Sequence, residues 1–309
     1  MIGLTELKKA LQSRVAGADL TSGFGYTLNP KNKNLTLTIR REGIVGNMQT
    51  DASAFESWAI VLKYYLHDLI DTITIDWECD ITDKEDGYLH YNRFIYRLIK
   101  FVQTYDWAFA AKAIPSIPST LLCNAPAKKE AAKLSDHPVG SEGWIECKYV
   151  DDNKKDYDYM NHQFPVGLFK NEVKGGKEYA FATGKKSAID IWAIKDNDFY
   201  LFELKKPDNR PLGIISETMF YTNVIHDLLS HKIQYDATNT ASKRAYKNNY
   251  RDFKIFYDAY ASGSINNIHA ILLADNLHTL ITSDLLDFIN QSPVWKYHRI
   301  AFSAQKVGI

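Results

Sequence analysis

The chain has 309 residues, 45% hydrophobic and 24% charged, the proportions of a globular protein long enough to form two domains. Lys plus Arg equals Asp plus Glu at 37 each, which excludes a global field drawing the molecule to nucleic acid or membrane and leaves polyanion contact to local patches. Three cysteines, Cys79, Cys123 and Cys147, lie far apart without Cys-x-x-Cys spacing, arguing against a zinc site of that type and for a reducing, cytoplasmic setting.

In chain order, residues 1–11 read as the start of an amphipathic helix with interspersed charge. They lack the apolar run of a signal peptide or membrane span. Phe24–Leu28 and Leu35–Ile39 alternate around Asn29–Asn34, a hairpin signal. Ser53 and Glu56 have capping-box spacing, and Phe55, Trp58, Leu62, Tyr65, Leu66 and Leu69 form one helical stripe behind them. Thr72–Trp77 reads as a strand. Tyr91–Phe109 reads as a second helix, with Phe94, Leu98, Phe101, Val102 and Tyr105 inward and Arg93, Arg97 and Lys100 on a solvated face. Residues 1–112 thus form an α+β domain of unknown role. Four of the nine prolines fall between residues 112 and 142, so 113–142 reads as a Pro-rich linker and 143–309 as the second domain.

Within that second domain Glu178–Thr183 reads as a strand, bounded by turns at Gly175-Gly176-Lys177 and Gly184-Lys185-Lys186; the second turn is placed to meet a phosphate. Ser187–Lys195 and Asp198–Lys206 flank a short Asp196-Asn197 turn and predict a hairpin. Side chains alternate along a strand, so Glu203 and Lys205 share a face with Phe199 and Leu201, and Asp190 sits on the partner strand between Ile189 and Ile191. Ionisable groups in such strands are costly to desolvate unless they pair or bind a cation. Leu212–Ser230 then follows a helical pattern, and Ile265–Asp275 reads as a buried strand. Between them, Ser242–Lys254 mixes cations with aromatics. Lys243, Arg244, Lys247 and Arg251 would contact phosphates while tyrosines stack on bases, or the stretch is a solvated helix with Tyr246, Tyr250 and Phe253 packed at i, i+4 and i+7.

Asp190, the hairpin turn and Glu203-Leu204-Lys205, followed by a helix and a strand, resemble the PD-(D/E)xK nuclease superfamily over roughly residues 177 to 275. The resemblance implies a restriction-endonuclease-like α/β core, a mixed sheet flanked by helices, with Glu178–Thr183 as its first strand. It also implies a divalent metal, Mg²⁺ or Mn²⁺, held by Asp190, Glu203 and the Leu204 carbonyl, with Lys205 positioning the attacking water. Glu217 and Tyr221 match the spacing of the Gln-xxx-Tyr element found after the Lys in some members, with Glu in place of Gln. Their expected roles are a further ligand or support for one, and a phosphate contact. Many members carry one more acidic residue on a helix before the first strand; Glu130, Glu142, Glu146 and Glu172 are the candidates here, and none is assigned.

The expected function is metal-dependent hydrolysis of nucleic-acid phosphodiesters, with DNA as the substrate favoured. The alternative is a catalytically inactive module of the same fold that binds nucleic acid or a protein partner. A homodimer would bring two sites to two strands, and the chain leaves that state open. His226 and His231 near the end of the core helix signal no more than a dipole contact. The usual serine-hydrolase, P-loop and His-Glu-x-x-His patterns are absent from the sequence.

Overall fold

A computed structural model describes residues 1–183, 187–236 and 238–308. The Gly184-Lys185-Lys186 turn expected to meet a phosphate lies outside the described residues. In chain order the elements begin with α1 (Leu4–Arg14), β1 (Phe24–Asn29), β2 (Asn34–Ile39), α2 (Arg41–Ile44), α3 (Phe55–Tyr65), β3 (Thr72–Trp77), α4 (Tyr88–Thr104) and β4 (Ala108–Ala110). Then come β5 (Leu121–Cys123), α5 (Glu142–Asn153), β6 (Tyr159–Pro165), β7 (Leu168–Phe169), β8 (Ala188–Lys195) and β9 (Asp198–Leu204). The chain finishes with α6 (Ile214–Leu229), β10 (Ile233–Tyr235), α7 (Thr240–Lys247), α8 (Phe253–Ser262), β11 (Ile268–Leu273), α9 (Ser283–Asn290), α10 (Pro293–Tyr297) and β12 (Ile300–Gln305). The fold is mixed α/β. Among the described residues no helix is long and apolar enough to cross a membrane.

The elements group into two units. The first holds Met1–Ile117, Pro211–Glu217 and Leu277–Tyr297; the second holds Pro118–Arg210, Thr218–Asn276 and His298–Ile309. The first unit's sheet has the order β1-β2-β3-β4, antiparallel between β1 and β2 and parallel thereafter. The predicted hairpin forms with Tyr26 opposite Leu37, and alternation buries Leu35, Leu37 and Ile39 on β2 and Ile73, Ile75 and Trp77 on β3. Helix α3 buries Phe55, Trp58 and Leu62, and the Phe55 ring meets Phe94 and Phe101 edge-on at 5.5 and 5.7 Å.

Three expectations fail in this unit for physical reasons. No capping box forms at α3: Glu56 is buried and takes Arg97 Nε at 2.7 Å, while the Ser53 hydroxyl donates to the Gly43 carbonyl at 2.7 Å. Arg93 and Arg97 are not a solvated face, for both are buried. Arg93 donates to the Gly46 carbonyl, and Arg97 forms an ion pair with Glu56 and donates to the Ser53 carbonyl. The second helix stops at Thr104, five residues short of Phe109, because Ala108–Ala110 pair with β3.

Residues 277–297, in the C-terminal domain by sequence order, belong with the first unit. Phe288 of α9 packs on Tyr64 and Trp107 at 5.6 and 6.3 Å, the Ser292 hydroxyl donates to the Thr104 carbonyl, and Trp295 Nε1 donates to the Tyr105 hydroxyl. Stripes such as Leu285, Leu286 and Ile289 pack wherever a matching face exists, and chain order does not say where.

In the second unit a five-stranded sheet has the order β12-β11-β9-β8-β6. The pairs β6–β8 and β8–β9 are antiparallel, and β9–β11 and β11–β12 are parallel. One face packs on α5 through Ile191, Phe202, Leu204 and Ile271; the other carries an aromatic group of Phe164, Trp192, Phe199 and Phe256. The first strand of this sheet is Tyr159–Pro165, not Glu178–Thr183, whose only described pairing is a single bridge between Ala180 and Phe169. The expected linker is in part structural: β5 pairs with β7 and β10 in a three-stranded sheet.

Candidate functional site

The site is built by a tight hairpin. Asp196 and Asn197 both adopt the left-handed conformation, at φ 52° and 64°, which two-residue hairpin turns demand and which Asp and Asn tolerate better than other side chains. The turn sets Lys195 opposite Asp198 and fixes the register up to Ile191 opposite Phe202. Strand β9 lies between β8 and β11, and from Leu201 to Leu204 it is buried on both faces, so Glu203 has been removed from water.

Just past the Ile191–Phe202 pair, the side chain of Asp190 takes over from the backbone. Its Oδ2 accepts the Leu204 N–H at 2.9 Å, where a strand carbonyl would otherwise be the acceptor. Beside it, Lys205 Nζ donates to Glu203 Oε1 at 2.6 Å, and the two side chains are 4% and 2% exposed. The Lys205 N–H donates to the Leu273 carbonyl at 3.0 Å, which ties the end of the motif to the parallel strand β11. Asp190, Glu203, Leu204 and Lys205 are therefore gathered at one end of the β8–β9 hairpin, as their spacing predicts. Asp190 is half-buried, and Glu203 and Lys205 are buried.

The opposite side of β8 holds a feature that the sequence does not announce. His162 pairs with Ile191 and Phe164 with Ile189; between them Gln163, at φ 57°, interrupts the ladder across from Asp190. The interruption breaks alternation. His162 and Gln163 both reach α5, whereas Phe164 packs on Trp192. Gln163 Nε2 donates to Glu146 Oε2 at 2.7 Å, and the Gln163 carbonyl accepts Arg251 Nη1 at 3.0 Å. Glu146 is 5% exposed and lies on α5, whose first turn is capped by Ser141 accepting the Trp144 N–H. Of the four upstream acids, Glu146 is thus the one that is buried on a helix running directly into the first strand.

His162 Nε2 lies 3.0 Å from the Ala132 carbonyl, which can only accept, so that nitrogen carries the proton and Nδ1 faces Glu146 Oε2 at 3.6 Å. Cys147 lies 3.9 Å from the same ring. Burial, then the neighbouring Glu146 and Asp151, push the Cys147 thiol up to about 11, so it stays protonated near neutral pH and is no nucleophile.

Glu217 and Tyr221 are divided by the two units. Glu217, in the first, is buried and accepts Gln49 Nε2 at 2.5 Å; Gly213 lies so close to Gln49 that an added Cβ would sit 2.3 Å from its carbonyl oxygen. Tyr221, in the second, is buried against Phe220 at 5.5 Å.

The basic stretch is not one continuous helix. Asn249, Arg251 and Asp252 have φ of 47°, 47° and 61° and separate α7 from α8. Lys243, Arg244 and Lys247 are exposed on α7, while Arg251 is half-buried with its guanidinium turned to the Gln163 carbonyl.

Among the described residues no group of three or more His, Cys, Asp or Glu side chains is placed to hold a metal ion. The candidate donors are two carboxylates and one main-chain carbonyl. An all-oxygen set of that size suits a hard divalent cation that keeps several of its waters. No family model, curated protein or solved structure matches the chain.

Proposed function

We propose that the second unit is a divalent-metal-dependent nuclease core of the PD-(D/E)xK type, hydrolysing DNA phosphodiesters. The observation that carries this reading is the convergence of Asp190, the Leu204 peptide and the buried Glu203–Lys205 pair at the end of one hairpin. The order α5, β6, β8, β9, α6 and β11, interrupted by β7 and by β10, α7 and α8, supports it, since a helix, three antiparallel strands, a helix and a parallel strand is the order the motif implies.

Asp190, Glu203 and the Leu204 carbonyl would hold Mg²⁺ or Mn²⁺, which when bound supplies charge neutralisation at the phosphate and acidifies a water. The bond from the Leu204 N–H to Asp190 orients that carboxylate before any ligand arrives. Lys205 is held on the Glu203 face by its ion pair, so its ammonium is positioned to orient the attacking water and to steady negative charge developing on the phosphate. Burial strengthens that contribution, because a charge in a low-dielectric site acts with less screening.

A second reading has its own observation. A Glu–Lys pair closed at 2.6 Å and buried on both partners is also what a structural ion pair in an inactive binding module looks like. The two readings part on metal and on cleavage. With the full chain, labelled DNA and Mg²⁺ or Mn²⁺, the nuclease reading expects metal-dependent cleavage that is lost in Asp190→Asn and Glu203→Gln, with circular dichroism confirming the fold. Equal cleavage by wild type and both variants overturns it, and metal affinity independent of Asp190 favours the module.

A further inference from the structure

We propose that a cavity between β10, α7 and α8 is a nucleobase subsite, holding one base of a single-stranded segment of the nucleic acid on which the second unit acts. The cavity measures about 320 Å³ and is lined by Tyr235, Tyr246, Phe253 and Tyr257, together with Asp236 and Lys243. That volume lies within the range of small-ligand pockets, about 300–1,000 Å³. Its rings are mutually braced: Tyr246 meets Tyr257 at 5.2 Å, Tyr235 meets Phe253 at 5.0 Å and Tyr257 at 5.8 Å. Braced aromatic walls present π-faces at little entropic cost, and a flat heteroaromatic ring is the ligand they fit best.

Polar groups narrow the class. Ser242, which also lines the cavity, is 6% exposed, and its hydroxyl has no hydrogen-bond partner among the described residues. That oxygen is itself enclosed, and a turn of the side chain toward the cavity would satisfy it on a base edge. Asp236 Oδ1 takes the Thr238 N–H and hydroxyl, which anchors a carboxylate of the cavity lining that would accept a base N–H. Lys243, Arg244 and Lys247 are exposed on α7, supplying cations for the phosphates on either side of a held base. The null charge of the whole chain makes this local excess the more telling.

The subsite connects to the proposed cutting site through one sheet face. Phe256, one turn beyond Phe253 on α8, packs on Trp192 and Phe199 at 6.1 and 5.4 Å, and Phe199 shares its face of β9 with Glu203 and Lys205. The base-binding role stands on the cavity alone; that the bound strand is a substrate rests on the nuclease reading.

The test uses the full chain and fluorescence anisotropy of an end-labelled short oligodeoxythymidine, with a parallel series carrying a single abasic position. Tyr246→Ala and Tyr257→Ala should each weaken binding about tenfold or more, whereas Tyr246→Phe, which keeps the ring, should bind as wild type does. One abasic position should weaken wild type by a similar factor and leave Tyr246→Ala unaffected. A flat abasic series, or wild-type affinity in both alanine variants with the fold intact by circular dichroism, overturns the subsite. Glu203→Gln should keep the binding profile and lose cleavage. A wild type that shows the abasic profile without cutting leaves the subsite standing and sinks the nuclease reading; cutting with a flat profile does the reverse.

Discussion

The two large sheets are built to the same order and filled differently. In the first unit, the β1–β2 hairpin is followed by α3, the parallel strand β3, then α4 and the parallel strand β4; in the second, β8–β9 is followed by α6, the parallel strand β11 and, further along, the parallel strand β12. In both, the second hairpin strand is flanked on either side by hydrogen-bonded neighbours. On β2 its end carries Leu37 and Ile39, both fully buried; on β9 and just past it the alternating positions carry Glu203 and Lys205. The same frame tolerates an apolar filling or a buried ion pair. Only the second calls for an explanation beyond packing, since apolar residues of similar volume would give equal or greater stability.

The contrast can be broken experimentally, and the largest effect expected is on catalysis. Lys205→Met should lower DNA cleavage by roughly 10²–10⁴-fold, the usual worth of a positioned proton-handling group, and Glu203→Gln, which weakens the metal site, should abolish it, both measured in single-turnover assays. Next is stability. Lys205→Met alone leaves Glu203 buried without its cation and should cost about 3–5 kcal/mol in urea unfolding, while adding Glu203→Leu should recover most of that loss. A double variant no more stable than the single one would show that the pair is not the source of the cost.

The reciprocal transplant is a sharper test. Leu37→Glu in the first unit should destabilise by a comparable amount, about 3–5 kcal/mol, because a carboxylate would replace a fully buried side chain, and adding Ile39→Lys should restore part of it by copying the spacing of Glu203 and Lys205. Smallest is a difference between thiols. Cys79 in the first unit is half-buried and should alkylate faster with iodoacetamide at neutral pH than Cys147 in the second, whose thiol is buried and pushed up to about 11. As pH climbs past 9.0 the unfolded chain ionises this thiol first, so its contribution is intact below that pH and is lost as pH rises through about 11.

The sequence displayed the second unit's hairpin most clearly, because β-rich runs around Asp196-Asn197 leave one turn and one register, and that register alone brings Asp190 to Leu204. The strand before it was hidden. Tyr159–Pro165 is rich in polar residues, and the left-handed Gln163 breaks the alternation by which a strand is recognised, while the better-patterned Glu178–Thr183 forms only one bridge. Glu146 was obscured for a related reason: Gly143 weakens the helical pattern of α5. The usable signals were Ser141 as an N-cap and the apolar positions Ile145, Tyr149 and Val150. Arg97 and Glu56 show the limit most directly. Arg97 reads as part of a solvated face and Glu56 as half of a capping box, and only tertiary packing pairs them.

The first unit is closed by residues from near the other end of the chain, and that has a consequence for biogenesis. On the ribosome Tyr64, Tyr105 and Trp107 emerge early, yet Phe288 and Trp295, which cover them, emerge nearly two hundred residues later. The aromatic surface of the first unit therefore stays uncovered while the β8–β9 hairpin is being made. A fragment ending at residue 117 would keep that surface bare and be prone to aggregate, so the chain inherits a standing need for protection during synthesis.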